Sequence, residues 1–158
     1  MSCAGIIWII EWNNIKMLDQ NFLDKKRHLL TGYLDELEPL IVGNSVSVLK
    51  SYNIKYHTIE RLFQLMVDTM VDINVHILRE GNFGAVDDLQ STFKLLGESG
   101  VLGRDFAKKI APIVGARNMI VHRYEKLDMD LFLNNLKNNF LDIKKYLIQI
   151  DAFLKKQK

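Results

Sequence analysis

The chain has 158 residues, of which 48% are hydrophobic and 25% are charged, and its formal net charge is only +2 at pH 7. This length allows one domain with a substantial core, and the composition is that of an ordinary globular protein. The small net charge excludes nucleic-acid binding by bulk charge alone, so any RNA contact requires a local basic patch. A single cysteine, Cys3, excludes an internal disulfide and a multi-thiolate metal site, and it favours the reducing cytoplasm.

The N-terminal region contains a short apolar stretch, Ile6–Ile10, that is similar to the core of a signal peptide. It lacks a basic leader and a small-residue cleavage site, and it stops at Glu11, so secretion is not predicted. No apolar run approaches the roughly 20 residues of a membrane helix, so no membrane partner is predicted. Residues 1–16 can be part of the domain or an extension ahead of a second start at Met17, and residues 17–158 are predicted to form a single domain.

Two long helices are predicted in the first half of the chain. Asp19 is expected to cap a helix that runs to about Ile41, and a short helical segment follows over 45–50. The second long helix is expected over 53–79, with seven apolar residues at helical spacing: Ile59, Leu62, Phe63, Met66, Met70, Ile73 and Ile77. A second apolar flank predicts that this helix is covered on two sides, one of which can face a partner subunit: Val71, Val75 and Leu78.

Three further helices are predicted in the second half. Asp87 or Asp88 opens a short one, and another starts near Arg104, with a kink or restart at Pro112 because proline removes a helical hydrogen bond. The last helix, over 130–155, repeats apolar residues in steps of three and four, as helices of a bundle do. The predicted fold is all-α, an antiparallel bundle of four to five helices.

The segment 117–124, with the sequence RNMIVHRY, contains the candidate catalytic residues. A guanidinium holds phosphate charge and an imidazole moves a proton near neutral pH, so Arg117 and His122 together can cleave RNA without a metal. On a continuous helix Asn118 lies one turn before His122 and can orient it, whereas Arg117 projects roughly 140° away from His122 around the axis. Two copies facing each other across a two-fold axis can enclose both groups, so we expect a site shared within a homodimer.

The second long helix also carries a polar stripe with a four-residue repeat: Asp68, Asp72 and His76. Two carboxylates and an imidazole can hold a divalent ion. The favoured interpretation is a solvated or interface-lining edge without metal, in which Asp72 orients a residue of the active site. The alternative to a catalytic site is a helix surface without a catalytic role, on which the arginine and the histidine occur together by chance.

Arg117, Asn118, His122 and Tyr124 match the R-x4-H-x-Y signature of the HEPN superfamily, and the chain resembles the HepT-like toxins within it. The likeness runs from about Met17 to the end of the chain. Two departures from the family pattern, Ala116 and Arg123, leave the signature residues intact.

The resemblance implies the toxin of a HepT/MntA-type toxin–antitoxin system, a homodimeric endoribonuclease that needs no metal or other cofactor. RNA would be cleaved by attack of its own 2′-hydroxyl, with Arg117 and His122 catalytic and with Asn118 and Asp72 supporting them. The cognate antitoxin would be a minimal nucleotidyltransferase that inhibits the toxin by transferring AMP to Tyr124. A non-catalytic HEPN binding module that partners the nucleotidyltransferase is the alternative.

Overall fold

The computed structural model describes residues 18–122, 125 and 127–157. The predicted extension over residues 1–16 and the modification site Tyr124 lie outside these residues. The described part contains seven α-helices and no strand: α1 (Gln20–Val42), α2 (Val46–Ser51), α3 (Asn53–Gly81), α4 (Ser91–Glu98), α5 (Arg104–Ile110), α6 (Ile113–His122) and α7 (Met129–Lys156). The all-α prediction is confirmed. None of these helices is long and apolar enough to cross a membrane.

Helix α1 begins directly after its predicted cap, Asp19, and ends at Val42, one residue beyond the predicted end. The Asp19 carboxylate accepts a hydrogen bond from the backbone N–H of Phe22 at 3.0 Å, which satisfies one of the unpaired donors of the first turn. At the other end, Lys137 of α7 donates to the carbonyl oxygens of Ile41 and Asn44. A cation there satisfies helix-terminal carbonyls and ties α7 to the end of α1.

Helix α3 is the central helix, and α1, α2, α4 and α6 all pack against it. Its seven predicted core residues are buried. The second apolar flank is also covered, and for two of its residues the chain itself provides the cover, where the sequence had left a partner subunit possible. Val71 and Leu78 are 7% and 1% exposed within the single chain, since the helices packed around α3 already enclose them, and only Val75 is left half-buried.

Pro112 separates α5 from α6, as predicted. Helix α5 ends at Ile110 and α6 begins at Ile113, and the carbonyl of Pro112 accepts a hydrogen bond from the N–H of Ala116 at 3.2 Å. Proline is tolerated at a helix start because its missing N–H has no intrahelical partner there. This restart and the short α2 account for most of the difference between seven helices and the predicted four to five.

A buried polar network joins α7, α3 and α4. The hydroxyl of Tyr146 donates to the side-chain oxygen of Asn74 at 2.7 Å, and the amide of Asn74 donates to Thr92 Oγ1 at 3.1 Å. All three side chains belong to residues that are fully buried. Burial raises the pKa of the Tyr146 hydroxyl well above its usual value, because a phenolate would lose its hydration. The network therefore requires the neutral phenol.

Replacing Tyr146 by phenylalanine is expected to lower the free energy of unfolding by roughly 1–3 kcal/mol, because the Asn74 oxygen then lies buried without a donor. Because the folded pKa is raised above the unfolded value of about 10, the wild-type protein should also lose stability as the pH rises beyond about 10. This alkaline loss should be smaller in Tyr146→Phe.

Urea unfolding curves at neutral and alkaline pH measure both effects. Tyr52→Phe is the matched control, because Tyr52 is 58% exposed and should change stability by less than about 0.5 kcal/mol. Equal effects of the two substitutions would contradict the role given to the network.

Candidate active site

Helix α6 carries three of the predicted site residues on one uninterrupted helix. Arg117 is half-buried, whereas Asn118 and His122 are exposed. Because the helix is continuous, five residues separate Arg117 from His122 by roughly 140° around its axis. A single chain therefore presents the guanidinium and the imidazole on different faces of α6.

The carboxylate of Asp68 on α3 holds the guanidinium of Arg117 in a fork. Arg117 Nε donates to Oδ1 at 2.8 Å and Nη2 donates to Oδ2 at 3.1 Å. The two side chains are 24% and 46% exposed, and an ion pair of this exposure contributes only about 0–1 kcal/mol to folding. The main effect of the fork is therefore to fix the orientation of the planar guanidinium.

The fork leaves part of the guanidinium available to a ligand. Arginine has five N–H donors, and Asp68 accepts from Nε and from one N–H of Nη2. Asn118 Oδ1 accepts from Nη1 at 3.3 Å. By this count one N–H on each terminal nitrogen remains without a described partner, and guanidinium N–H groups of this kind can donate to phosphate oxygens.

Asn118 makes a different contact from the one predicted for it. It was expected to orient His122, one turn further along α6. In the described part of the chain no hydrogen bond joins these two side chains, and the Asn118 oxygen accepts from Arg117 instead. His122 is exposed in the last turn of α6 and is accessible to a substrate or to a second copy of the chain.

Asp72 does not contact Arg117 or His122. Its Oδ2 pairs with Lys26 Nζ of α1 at 2.5 Å, and the contact with the active-site helix is made by Asp68, one turn earlier. The polar stripe was visible in the sequence, but the position along it that meets α6 was not. A supporting role for Asp72 in catalysis stays a prediction.

The members of the polar stripe are each engaged by a different part of the protein. Asp68 pairs with Arg117, Asp72 pairs with Lys26, and His76 Nε2 accepts a hydrogen bond from the backbone N–H of Asp19 at 3.2 Å. Among the residues that the structure describes, no three His, Cys, Asp or Glu side chains are grouped as metal ligands. This arrangement does not favour a shared metal ion on the stripe.

Asp68 also lines an open groove, named here the α3 groove, with a volume of about 640 Å³. It runs along α3 beside the start of α1. Its walls are formed by Phe22, Asp68, Val71, Asp72, Val75, His76, Arg79 and Leu89. A second, smaller and more apolar cavity of about 250 Å³ lies between α3, α6 and α7, and neither Arg117 nor His122 lines either cavity.

The bundle is all-helical, an arginine of α6 is held by the central helix and an exposed histidine follows it by five residues, as expected for a HEPN-type helical domain. The model of the Ribonuclease HepT-like family matches residues 30–150, so the chain belongs to this family. The predicted resemblance to HepT-like proteins and the predicted enzyme class, endoribonuclease, are confirmed.

The chain is similar to named nucleases along most of its length. It is 30% identical over 132 residues to the tRNA nuclease HepT of Aphanizomenon flos-aquae, an alignment that covers 84% of this chain and 89% of the relative. It is 25% identical over 89 residues to the mRNA nuclease HepT of Shewanella oneidensis, which covers 56% of this chain and 67% of the relative.

Solved structures share the fold. The tri-AMPylated HEPN toxin of Shewanella oneidensis, in complex with an MNT antitoxin, superposes with a TM-score of 0.75 at 20% identity, over 86% of this chain and 99% of that one. YutE of Bacillus subtilis, a cytosolic protein of unknown function, superposes with a TM-score of 0.77 at 11% identity, over 89% and 93% of the two chains.

Proposed function

We propose that this protein is the toxin of a toxin–antitoxin pair and cleaves RNA without a metal, in a cleft shared by two copies of the chain. The observation that carries the proposal is the fork between Asp68 and Arg117. It presents the free edge of a fixed guanidinium, as the binding of a phosphodiester requires. The names of the two relatives, a tRNA nuclease and an mRNA nuclease, support RNA as the substrate class.

The reaction transfers a phosphodiester to the neighbouring 2′-hydroxyl of the RNA. The 2′-oxygen forms a bond to phosphorus, the bond from phosphorus to the 5′-oxygen breaks, and a cyclic phosphate and a 5′-hydroxyl result. His122 takes the proton of the 2′-hydroxyl or supplies a proton to the leaving oxygen, since an imidazole can do either near neutral pH. Arg117 stabilises the charge that develops on the phosphate oxygens.

The geometry of α6 supports a site shared by two copies. Arg117 is tied to α3 of its own chain by Asp68, while His122 lies exposed on another face of the helix. A two-fold axis beside α6 would bring the guanidinium of one copy towards the imidazole of the other. The exposed apolar residues Met119 and Val121, each 41% exposed, lie on the same helix and suit such a contact.

Inhibition is proposed to act through Tyr124, two residues after His122. A nucleotidyltransferase antitoxin would transfer AMP to its hydroxyl, as the description of the Shewanella toxin as tri-AMPylated suggests. The added nucleotide carries bulk and negative charge next to the site where an RNA phosphate must bind. Repulsion between these phosphates would exclude the substrate.

Expression of the chain alone is expected to arrest growth, and co-expression of a neighbouring nucleotidyltransferase should relieve the arrest. Intact-mass spectrometry of the co-expressed chain should show a gain of whole AMP units, with the modified peptide containing Tyr124. Tyr124→Phe removes the acceptor hydroxyl, so this variant should stay unmodified at that position and resist inhibition.

Two outcomes would contradict these expectations. Harmless expression of a folded chain would favour the non-catalytic binding module that partners a nucleotidyltransferase. Full relief of arrest for Tyr124→Phe, without AMP on the chain, would show that the antitoxin inhibits by binding alone.

A further inference from the structure

The α3 groove is connected to the candidate site through Asp68. Asp68, which holds Arg117, lines one end of the groove, and Arg79 lines the other. The eleven steps from Asp68 to Arg79 span about 16 Å along the helix axis at 1.5 Å per residue. Stacked nucleotides advance about 3.4 Å along a strand, so this length suits a few nucleotides of single-stranded RNA.

A basic side chain lies near each end of the groove, where a polyanion could be bound. The carboxylates of Asp68 and Asp72 are both compensated, by Arg117 and by Lys26. Arg79 is exposed and makes no ion pair with any residue that the structure describes. The middle of the groove is therefore close to neutral, with Arg79 as an uncompensated cation at the end opposite Arg117.

The wall between these ends contains two aromatic rings, and Lys26 Nζ lies 5.5 Å from the centroid of one of them, Phe22. The rings of Phe22 and His76 lie 4.7 Å apart at 31°, and both side chains are half-buried. The hydrogen bond from the backbone N–H of Asp19 fixes the imidazole of His76 in place. Half-buried rings beside an open groove are suited to stacking by an unpaired base, and such stacking contributes about 1–3 kcal/mol per base in single-strand binders.

We propose that the α3 groove binds the single-stranded RNA that adjoins the scissile phosphate. Arg79 contacts a backbone phosphate beyond the cleavage position, and the pair of Phe22 and His76 stacks on a base between the two phosphates. This inference rests on the ribonuclease activity proposed above and adds to it a binding subsite outside the catalytic signature. It makes the RNA strand, rather than a folded duplex, the form of substrate that the site accepts.

The test is Arg79→Gln, which removes the charge from an exposed side chain and should leave the fold intact. Cleavage of a labelled single-stranded RNA is measured as a function of substrate and salt concentration. KM should rise by roughly tenfold with little change in kcat, and the slope of log KM against log salt should fall by about 1, as expected for the loss of one phosphate contact. Lys55→Gln is the matched control, because it removes the same charge from α3 at 24 residues, or about 36 Å, from Arg79.

A second variant tests the base contact. His76→Gln keeps a polar side chain but removes the ring, so it should raise KM and weaken any preference for the base beside the cut. Sequencing of the product ends from a mixed RNA pool reads this preference directly. Unchanged KM, salt slope and base preference in both variants of an active enzyme would overturn the proposal.

Binding without cleavage separates this inference from the proposed function. A short oligonucleotide with a 2′-deoxy nucleotide at the cleavage position lacks the attacking hydroxyl, and its affinity is read by fluorescence anisotropy. Weaker binding to Arg79→Gln supports the groove even if the chain proves inactive, whereas equal binding overturns it. A change in molecular mass by light scattering for Arg79→Gln would also overturn it, since the groove would then be a contact between subunits.

Discussion

Replacing His122 by alanine is expected to reduce RNA cleavage by about 10²–10⁴-fold, because proton transfer by a positioned imidazole contributes this much to comparable reactions. The substitution should leave the fold unchanged. His122 is exposed and makes no hydrogen bond in the part of the chain that the structure describes, so the free energy of unfolding should change by less than about 0.5 kcal/mol. Single-turnover cleavage at saturating RNA measures the loss.

His28→Ala is the matched control, because His28 is also an exposed histidine on a helix but lies on α1. It should cleave at the wild-type rate. Wild-type activity in His122→Ala would remove the imidazole from the mechanism, and a parallel loss in both variants would point to a general effect on the protein.

Replacing Arg117 by glutamine is expected to lower kcat by about 10²–10³-fold, the usual effect of removing one donor that stabilises transition-state charge. Asp68→Asn keeps the guanidinium but replaces the carboxylate of the fork by an amide. If Asp68 positions Arg117, this variant should lose less activity than Arg117→Gln, and the double variant should be no worse than Arg117→Gln alone. An additive loss would mean that Asp68 acts independently of Arg117.

Mixed dimers test the shared cleft. Equal amounts of Arg117→Gln and His122→Ala chains, refolded together, form heterodimers with one intact guanidinium and one intact imidazole on different subunits. Cleavage should reappear if the two groups act across the dimer axis. No recovery from two folded and dimeric variants would show that each chain holds a complete site.

Much of the fold could be predicted because local chemistry determines it. Asp19 caps α1, Pro112 interrupts the helix before the signature, and the apolar spacing of α7 marks a buried face. Periodicity shows that a residue is buried but not what buries it. For this reason the sequence left a partner subunit possible as the cover of Val71 and Leu78, although their own chain covers them.

For the candidate site, the sequence predicted which helix faces carry its residues but not which side chains touch each other. From the polar stripe, only Asp72 was given a supporting role in the site, whereas the carboxylate that holds Arg117 belongs to Asp68. Which of the two reaches Arg117, 49 residues away from Asp68 in sequence, depends on how α6 crosses α3. That crossing is set by packing between helices, which no local pattern in the sequence reports.

The joint at Pro112 determines where the guanidinium of Arg117 points. Because α5 and α6 are separate helices, the turn of α5 does not set the rotation of α6, and a deletion in the joint would shift the register of α6 against α3. Arg117 would then swing away from Asp68 while every signature residue kept its spacing. An insertion or deletion at 111–112 would therefore disturb the pair of Arg117 and Asp68 while the sequence of the signature stayed untouched.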